Sequence, residues 1–256
     1  EFDVRRWLGL PLLASVPTLK QIKRRPFRDV IPEFEQGRQT MEAFRTLRTQ
    51  VEFKAIDRPM NTILVTSTRP SEGKTAVMTN LAVTFAQKGE NVLLVDCDLR
   101  RPALHRHMEL DRSPGLSNTL MGEISWKTAV QETEVPNLWV LTAGDITVNP
   151  SELLSSSQMR GLVDELSASY DRVLFDMSSV LAVTDSAIMG SMVDGVLLVV
   201  KAYKTPRHYI QQAIEIMHNV GSNMLGVVFN QVRRYGTAYY YYYYYHSEPE
   251  VRSLKK

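Results

Sequence analysis

The stretch Thr62-Ile63-Leu64-Val65-Thr66-Ser67-Thr68-Arg69-Pro70-Ser71-Glu72-Gly73-Lys74-Thr75 reads as an apolar strand, a tight loop and the first residues of a helix. A Gly-Lys-Thr that closes a loop between strand and helix is the pattern of a phosphate cradle. Backbone amides at the helix start point at phosphate oxygens, and the helix dipole adds to the attraction. The candidate nucleotide-binding residues are Ser71, Glu72, Gly73, Lys74, Thr75 and Ala76. Lys74 reaches the β- and γ-phosphates in such a loop, and the Thr75 hydroxyl reaches Mg²⁺. Two positions depart from the usual pattern: Thr68 and Ser71 stand where glycine is common. Side chains restrict positive φ, so the loop is expected to take a geometry that they tolerate. The competing explanation is a chance Gly-Lys-Thr at a helix start, and the segments downstream decide against it.

Outward from the loop, apolar runs alternate with helical patterns. Strands are expected at Leu12–Val16, Thr62–Thr66, Val92–Asp96, Leu138–Leu141, Val173–Asp176, Val196–Lys201 and Leu225–Phe229. Most are continuous Val/Leu/Ile runs, the signature of strands buried on both faces. Helices are expected at Gln39–Ala55, Thr75–Lys88, Ser151–Ser169, Thr184–Met192 and Pro206–Asn219. Asn149-Pro150-Ser151-Glu152 supplies the start signal for the third of these. Repeated strand–helix units imply an α/β fold, a mainly parallel sheet sandwiched by helices.

Two strands in this series end in carboxylates. Val92-Leu93-Leu94-Val95 runs into Asp96-Cys97-Asp98-Leu99-Arg100, and Val173-Leu174-Phe175 runs into Asp176. Asp96 and Asp98, one residue apart, point to the same side of a strand. Ligands in open α/β sheets sit at this strand end. Thr75, Asp98 and Asp176 are therefore the candidate Mg²⁺ residues, and Asp96 is the candidate acceptor of a proton from an attacking hydroxyl. A lone aspartate after a strand is more often a turn or cap residue. Two such strand ends downstream of a phosphate loop reverse that preference.

The remainder is less chemical. The formal net charge of +2 over 256 residues does not point to a nucleic-acid partner. The single cysteine, Cys97, excludes an internal disulfide and fits a reducing compartment. The expected organisation is an arm over 1–38, a P-loop domain over 39–234 and a tail over 235–256. The arm carries Lys20, Lys23, Arg24, Arg25 and Arg28; the tail carries Tyr235 and the run Tyr239, Tyr240, Tyr241, Tyr242, Tyr243, Tyr244 and Tyr245. Low complexity predicts that the tail is disordered. The chain opens without methionine and is expected to be a piece of a longer protein.

In these motifs the sequence resembles the bacterial tyrosine kinases of polysaccharide export. The resemblance runs over nearly the whole chain. It is carried by the Thr68–Thr75 loop, the Asp96-Cys97-Asp98-Leu99-Arg100 segment, the strand ending at Asp176, Asn149-Pro150-Ser151-Glu152-Leu153-Leu154 and Leu8-Gly9-Leu10-Pro11. It implies a tyrosine autokinase that uses ATP and Mg²⁺, with Lys74 and Asp96 catalytic and the tail tyrosines as acceptors. It further implies a homo-oligomeric ring, an octamer in the family, held through Glu42, Arg45 and Arg48 on the first helix. A cognate tyrosine phosphatase and the polysaccharide export machinery are the implied partners. The implied location is the cytoplasmic face of the bacterial inner membrane, through segments absent from this chain. The family usually has Thr-Pro-Pro after the second acidic strand, where this chain has Met177-Ser178-Ser179. Without proline to fix φ, that backbone is expected to be less rigid.

Two alternatives compete. A partition or cell-division ATPase of the same superfamily would carry lysine five residues before Lys74, where Arg69 stands. A nucleotide-binding scaffold with weak or no kinase activity is the other.

Overall fold

The computed structural model describes residues 7–18, 35–56 and 58–233, the side chains of 35–39 excepted. The basic cluster Lys20–Arg28 and all eight tail tyrosines lie outside the described residues.

Among the described residues, eight strands form one sheet. They are β1 (Leu12–Pro17), β2 (Thr62–Ser67), β3 (Val92–Asp96), β4 (Gln131–Glu132), β5 (Leu138–Leu141), β6 (Arg172–Asp176), β7 (Gly195–Lys201) and β8 (Met224–Val232), in spatial order β1-β8-β7-β2-β6-β3-β5-β4. Every pairing is parallel except the short β4 on β5. The helices are α1 (Glu35–Lys54), α2 (Lys74–Ala86), α3 (Leu104–Met108), α4 (Leu116–Leu120), α5 (Trp126–Ala129), α6 (Pro150–Ser155), α7 (Ser157–Ser169), α8 (Asp185–Gly190) and α9 (Arg207–Asn219).

The continuous apolar runs are explained by two cores. Ile63, Val65, Val92, Leu94, Leu174, Leu197 and Val199 pack with Phe44, Leu47 and Val51 of α1 and with α2. The alternate residues Leu64, Leu93, Val95, Val173, Phe175, Leu198 and Val200 pack with α7 and α9. The period-two alternation of a strand sends each set to its own face, and both faces are covered. Each of these large side chains contributes about 1.5–3 kcal/mol through burial. The fold is thus the expected α/β sandwich.

Two local features differ from the sequence expectation, and a third adds to it. The helix expected over Ser151–Ser169 is two helices, because Ser156 is extended (φ −68°, ψ 158°). Its hydroxyl donates to the Leu153 carbonyl at 2.6 Å and accepts the Met159 amide at 3.1 Å. Serine offers the backbone such local partners, and three consecutive serines break the helix there. At Asn149 the start is made by Pro150 in the first turn, with no side-chain cap; the Asn149 amide instead donates to Glu152 at 2.9 Å. Finally, β1 of the arm pairs along β8, with Leu12 opposite Val227 and Ser15 opposite Phe229.

Candidate nucleotide and phosphoryl-transfer site

The parallel strands deliver their C-terminal ends to one edge of the sheet, and the sequence-predicted charges meet there. Asp96 and Asp176 are register partners on β3 and β6, so their side chains emerge together. Lys74, first residue of α2, reaches Asp176 of that pair and Asp98 beside it. Its Nζ lies 3.1 Å from Asp98 Oδ2 and 3.5 Å from Asp176 Oδ1. The Thr75 hydroxyl donates to Asp176 Oδ2 at 2.6 Å. Asp96 is completely buried; its Oδ2 accepts the amides of Ala103 (3.2 Å) and Leu104 (3.0 Å), and its Oδ1 accepts the Asp98 amide (3.2 Å). Lys74, Thr75, Asp96, Asp98 and Asp176 therefore form one constellation.

Three carboxylates around one ammonium leave the site short of positive charge. Burial, and then the neighbouring Asp176, push Asp96 up to about 7, against the Leu104 amide and Lys74, which pull it down. Burial also raises Asp176, opposed by Lys74 and Thr75. For Lys74, burial favours the neutral form, but Asp176 and Asp98 outweigh it and hold the pKa above its ordinary value. A cation added here would relieve the crowding.

The donor set fits Mg²⁺ with a polyphosphate. Asp176 Oδ1 is buried and receives no hydrogen bond, with the Lys74 ammonium 3.5 Å away, an acceptor that a cation could share. Among the described residues there is no cluster of three or more His, Cys, Asp or Glu with metal-ligand geometry. Mg²⁺ characteristically takes one or two carboxylates and completes its shell with water and phosphate oxygens. Thr75, Asp98 and Asp176 match that use.

The loop geometry is specific. Gly73 has φ 91°, which favours glycine, and a Cβ on it would lie 2.2 Å from Asn230 Nδ2 and displace that amide. Ser71 also adopts a left-handed backbone, φ 66°. The loop thus keeps the glycine-like shape despite the serine, rather than taking a geometry that suits it. Met177-Ser178-Ser179 is likewise tied down. The Ser178 carbonyl accepts the hydroxyls of Thr66 (2.7 Å) and Ser186 (2.5 Å), Ser179 Oγ lies 3.2 Å from Ser67 Oγ, and the Met177 amide donates to Val65 at 3.1 Å. Hydrogen bonds restrain the backbone where the family pattern uses proline.

Several residues that sequence reasoning did not single out complete the site. Asn230, at the end of β8, donates to the Glu72 carbonyl at 2.8 Å. Arg100 pairs with buried Asp185 at 2.8 and 3.2 Å and donates to Ser151 Oγ at 2.7 Å. Ser151 donates in turn to Asp185 at 2.7 Å. This ties the acidic segment after β3 to the starts of α6 and α8. A polar residue directly after an apolar strand was the available signal for Asn230; its partner was not.

The predicted subunit-contact stripe divides. Glu42 pairs with Arg45, and both side chains are about half exposed (43% and 52%). Arg48 turns into its own chain, donating to the Thr84 carbonyl at 2.5 Å with Glu52 3.8 Å away.

Comparisons with known proteins bear on the family and the fold of this chain. A family model described as an AAA domain matches residues 60–225. The chain is 42% identical over 203 residues to tyrosine-protein kinase YwqD of Bacillus subtilis (strain 168), covering 79% of this chain and 86% of that protein. It is 34% identical over 245 residues to tyrosine-protein kinase ptk of Acinetobacter johnsonii, covering 93% of this chain but 33% of that longer protein. The crystal structure of the chimerical protein CapA2B2 superposes with a TM-score of 0.83 at 32% identity, covering 91% of this chain and all of that one.

Proposed function

We propose that this chain, which belongs to the bacterial P-loop tyrosine kinases, transfers the γ-phosphate of ATP to its own C-terminal tyrosines. The observation that carries the reading is the meeting of Lys74 with Asp98 and Asp176, beside Asp96. In a P-loop protein this is where the γ-phosphate is held. The loop amides of residues 71–76, with Lys74, would hold the phosphates, and Thr75, Asp98 and Asp176 would hold Mg²⁺. Bound Mg²⁺ supplies charge neutralisation of the transferring group.

The chain's own residues do the rest. Lys74 orients the β- and γ-phosphates and offsets the negative charge that builds in transfer. Asp96 takes the proton of the acceptor phenol. The phenolic oxygen then bonds to the γ-phosphorus as the bond to the β–γ bridging oxygen breaks, and ADP leaves with that oxygen. In the nucleotide-free site burial and Asp176 push Asp96 up to about 7, and a raised pKa makes a carboxylate a stronger base.

Tyr235 and Tyr239–Tyr245 are the proposed acceptors, reached in trans within a ring built through the Glu42–Arg45 stripe. Each phosphate adds about −1.5 to −2 charges, enough in series to repel the tail from the acidic site. The proposed consequence is control of capsule or exopolysaccharide export at the inner membrane, reversed by a cognate phosphatase. Among the described residues, no helix is long and apolar enough to cross a membrane.

Phosphosite mapping by mass spectrometry after incubation with ATP and Mg²⁺ tests the reading. Phosphate is expected on the Tyr239–Tyr245 run and absent in Lys74→Met. Unmodified tyrosines with continued ATP turnover would identify a partition-type ATPase instead.

A further inference from the structure

The phosphate loop holds a residue in a conformation that its side chain disfavours. Ser71 sits at φ 66°, a backbone that glycine adopts freely and serine does not. Something beyond the residue itself must hold it there.

The next residue makes the contacts that can. Glu72 is turned inward and is 4% exposed. Its Oε2 accepts the Arg69 amide at 3.0 Å, which closes the loop across Ser71. Its Oε1 accepts the Thr205 hydroxyl, from the connection between β7 and α9. Its carbonyl accepts Asn230 Nδ2 at 2.8 Å, from the end of β8. The Arg69 guanidinium lies 5.2 Å over the ring of Tyr209 on α9. The loop is thus fastened at both ends of the Arg69–Glu72 segment to β8, α9 and the connection before α9, which carry none of the proposed catalytic groups.

The chemistry makes this choice informative. A carboxylate in a loop that receives phosphates works against ligand charge unless it is satisfied from within the protein. Burial holds Glu72 above its ordinary pKa, opposed by the bonds from Thr205 and Arg69. We propose that Glu72 is a positioning residue, pinning the phosphate loop through Arg69 and Thr205 so that Ser71 keeps the left-handed backbone a nucleotide requires. The proposal rests on the reading that this loop binds MgATP.

The full chain would be titrated with a fluorescent N-methylanthraniloyl ATP analogue plus Mg²⁺, alongside steady-state autophosphorylation and thermal midpoints. Glu72→Ala should raise Kd and the KM for ATP about tenfold while kcat stays within about threefold, the pattern of lost ground-state binding. Ser71→Gly in the Glu72→Ala background should recover most of the loss, because glycine holds the backbone unaided. Glu72→Gln should also recover most of it. Its carbonyl can accept from Arg69 while its amide donates to Thr205.

Wild-type affinity in Glu72→Ala, with binding lost in Lys74→Met, would overturn the role of Glu72 and leave the nucleotide reading standing. So would a double variant no better than Glu72→Ala. No binding by the wild type would overturn both. Should Glu72→Ala unfold, the Ser71→Gly double variant and Glu72→Gln decide the matter.

Discussion

The two edges of the one sheet treat carboxylates in opposite ways. At the N-terminal edge acids are matched by donors and cations. Asp194 accepts the amide and hydroxyl of Thr62, both at 2.8 Å. Asp171 accepts the Asn91 amide at 2.8 Å. Glu90 pairs with Arg172 at 2.9 Å, and Arg172 also donates to the Met60 carbonyl and stacks over Phe85. At the C-terminal edge Asp96, Asp98 and Asp176 crowd around Lys74, with one buried oxygen left without a hydrogen bond. Satisfied charge marks the edge that holds the strands in register. Frustrated charge marks the edge kept for chemistry.

The largest effect should come from removing the ammonium at the centre of the frustrated edge. Lys74→Met should lower tail phosphorylation on the order of 10³-fold, as loss of a charge that stabilises phosphoryl transfer does elsewhere. The folded content by circular dichroism should hardly change, because Asp176, which burial already pushes upward, can take up a proton once Lys74 is gone. Anti-phosphotyrosine signal beside wild type is the measurement. Retained phosphorylation would break the contrast between the edges.

Asp96→Asn should be the next largest, about 10²-fold in kcat, if Asp96 acts as a base. The variant keeps an oxygen to accept the Ala103 and Leu104 amides, while its NH₂ replaces the oxygen that accepts the Asp98 amide. It should also change the pH profile of stability in the nucleotide-free protein. The folded pKa of about 7 stands above that of an unfolded aspartate. The folded state then holds this proton more tightly, so its contribution is complete below about pH 4, falls as pH rises and levels off above about 7. Denaturant midpoints at pH 5 and pH 8 should differ in the wild type, with lower stability at pH 8. The gap should narrow in Asp96→Asn.

The charged members of the site were legible because each is covalently next to a strand end. Lys74 and Thr75 follow β2 by one loop, and Asp96 and Asp176 close β3 and β6, so parallel strands alone bring them together. The supports were not legible. Asn230 meets Glu72 across 158 residues, and Thr205 meets it across 133. Those contacts depend on strand order, which periodicity does not reveal. The arm strand β1 was visible as a strand, but not as the edge partner of β8. Helices α3, α4 and α5 span five, five and four residues, too short for a 3.6-residue period to show. The unbroken helix expected over Ser151–Ser169 failed at Ser156, where a side chain outcompeted the backbone pattern.

The satisfied edge should respond in stability rather than in chemistry. Asp194→Ala removes two hydrogen bonds and leaves the Thr62 amide without that acceptor. The expected cost is about 1–3 kcal/mol by denaturant titration. Phosphorylation per folded molecule should stay within about twofold, since β2 still delivers the loop to the opposite edge. A kinetic loss as large as that of Asp96→Asn would show that the two edges are coupled.

The smallest change in stability is expected on the α1 stripe, and there it separates two roles. Arg45 and Glu42 are an exposed i, i+3 pair, worth about 0.2–0.5 kcal/mol in isolation. Arg48 is bound to the Thr84 carbonyl and already serves its own fold. Arg45→Ala should therefore leave the thermal midpoint within about a degree, while Arg48→Ala lowers it measurably by freeing a buried carbonyl contact. If the exposed pair is a subunit contact, Arg45→Ala should nevertheless reduce the mass seen by light scattering at high protein concentration. A variant that assembles as the wild type does would reduce Glu42 and Arg45 to a solvated pair and move the search for the ring contact elsewhere.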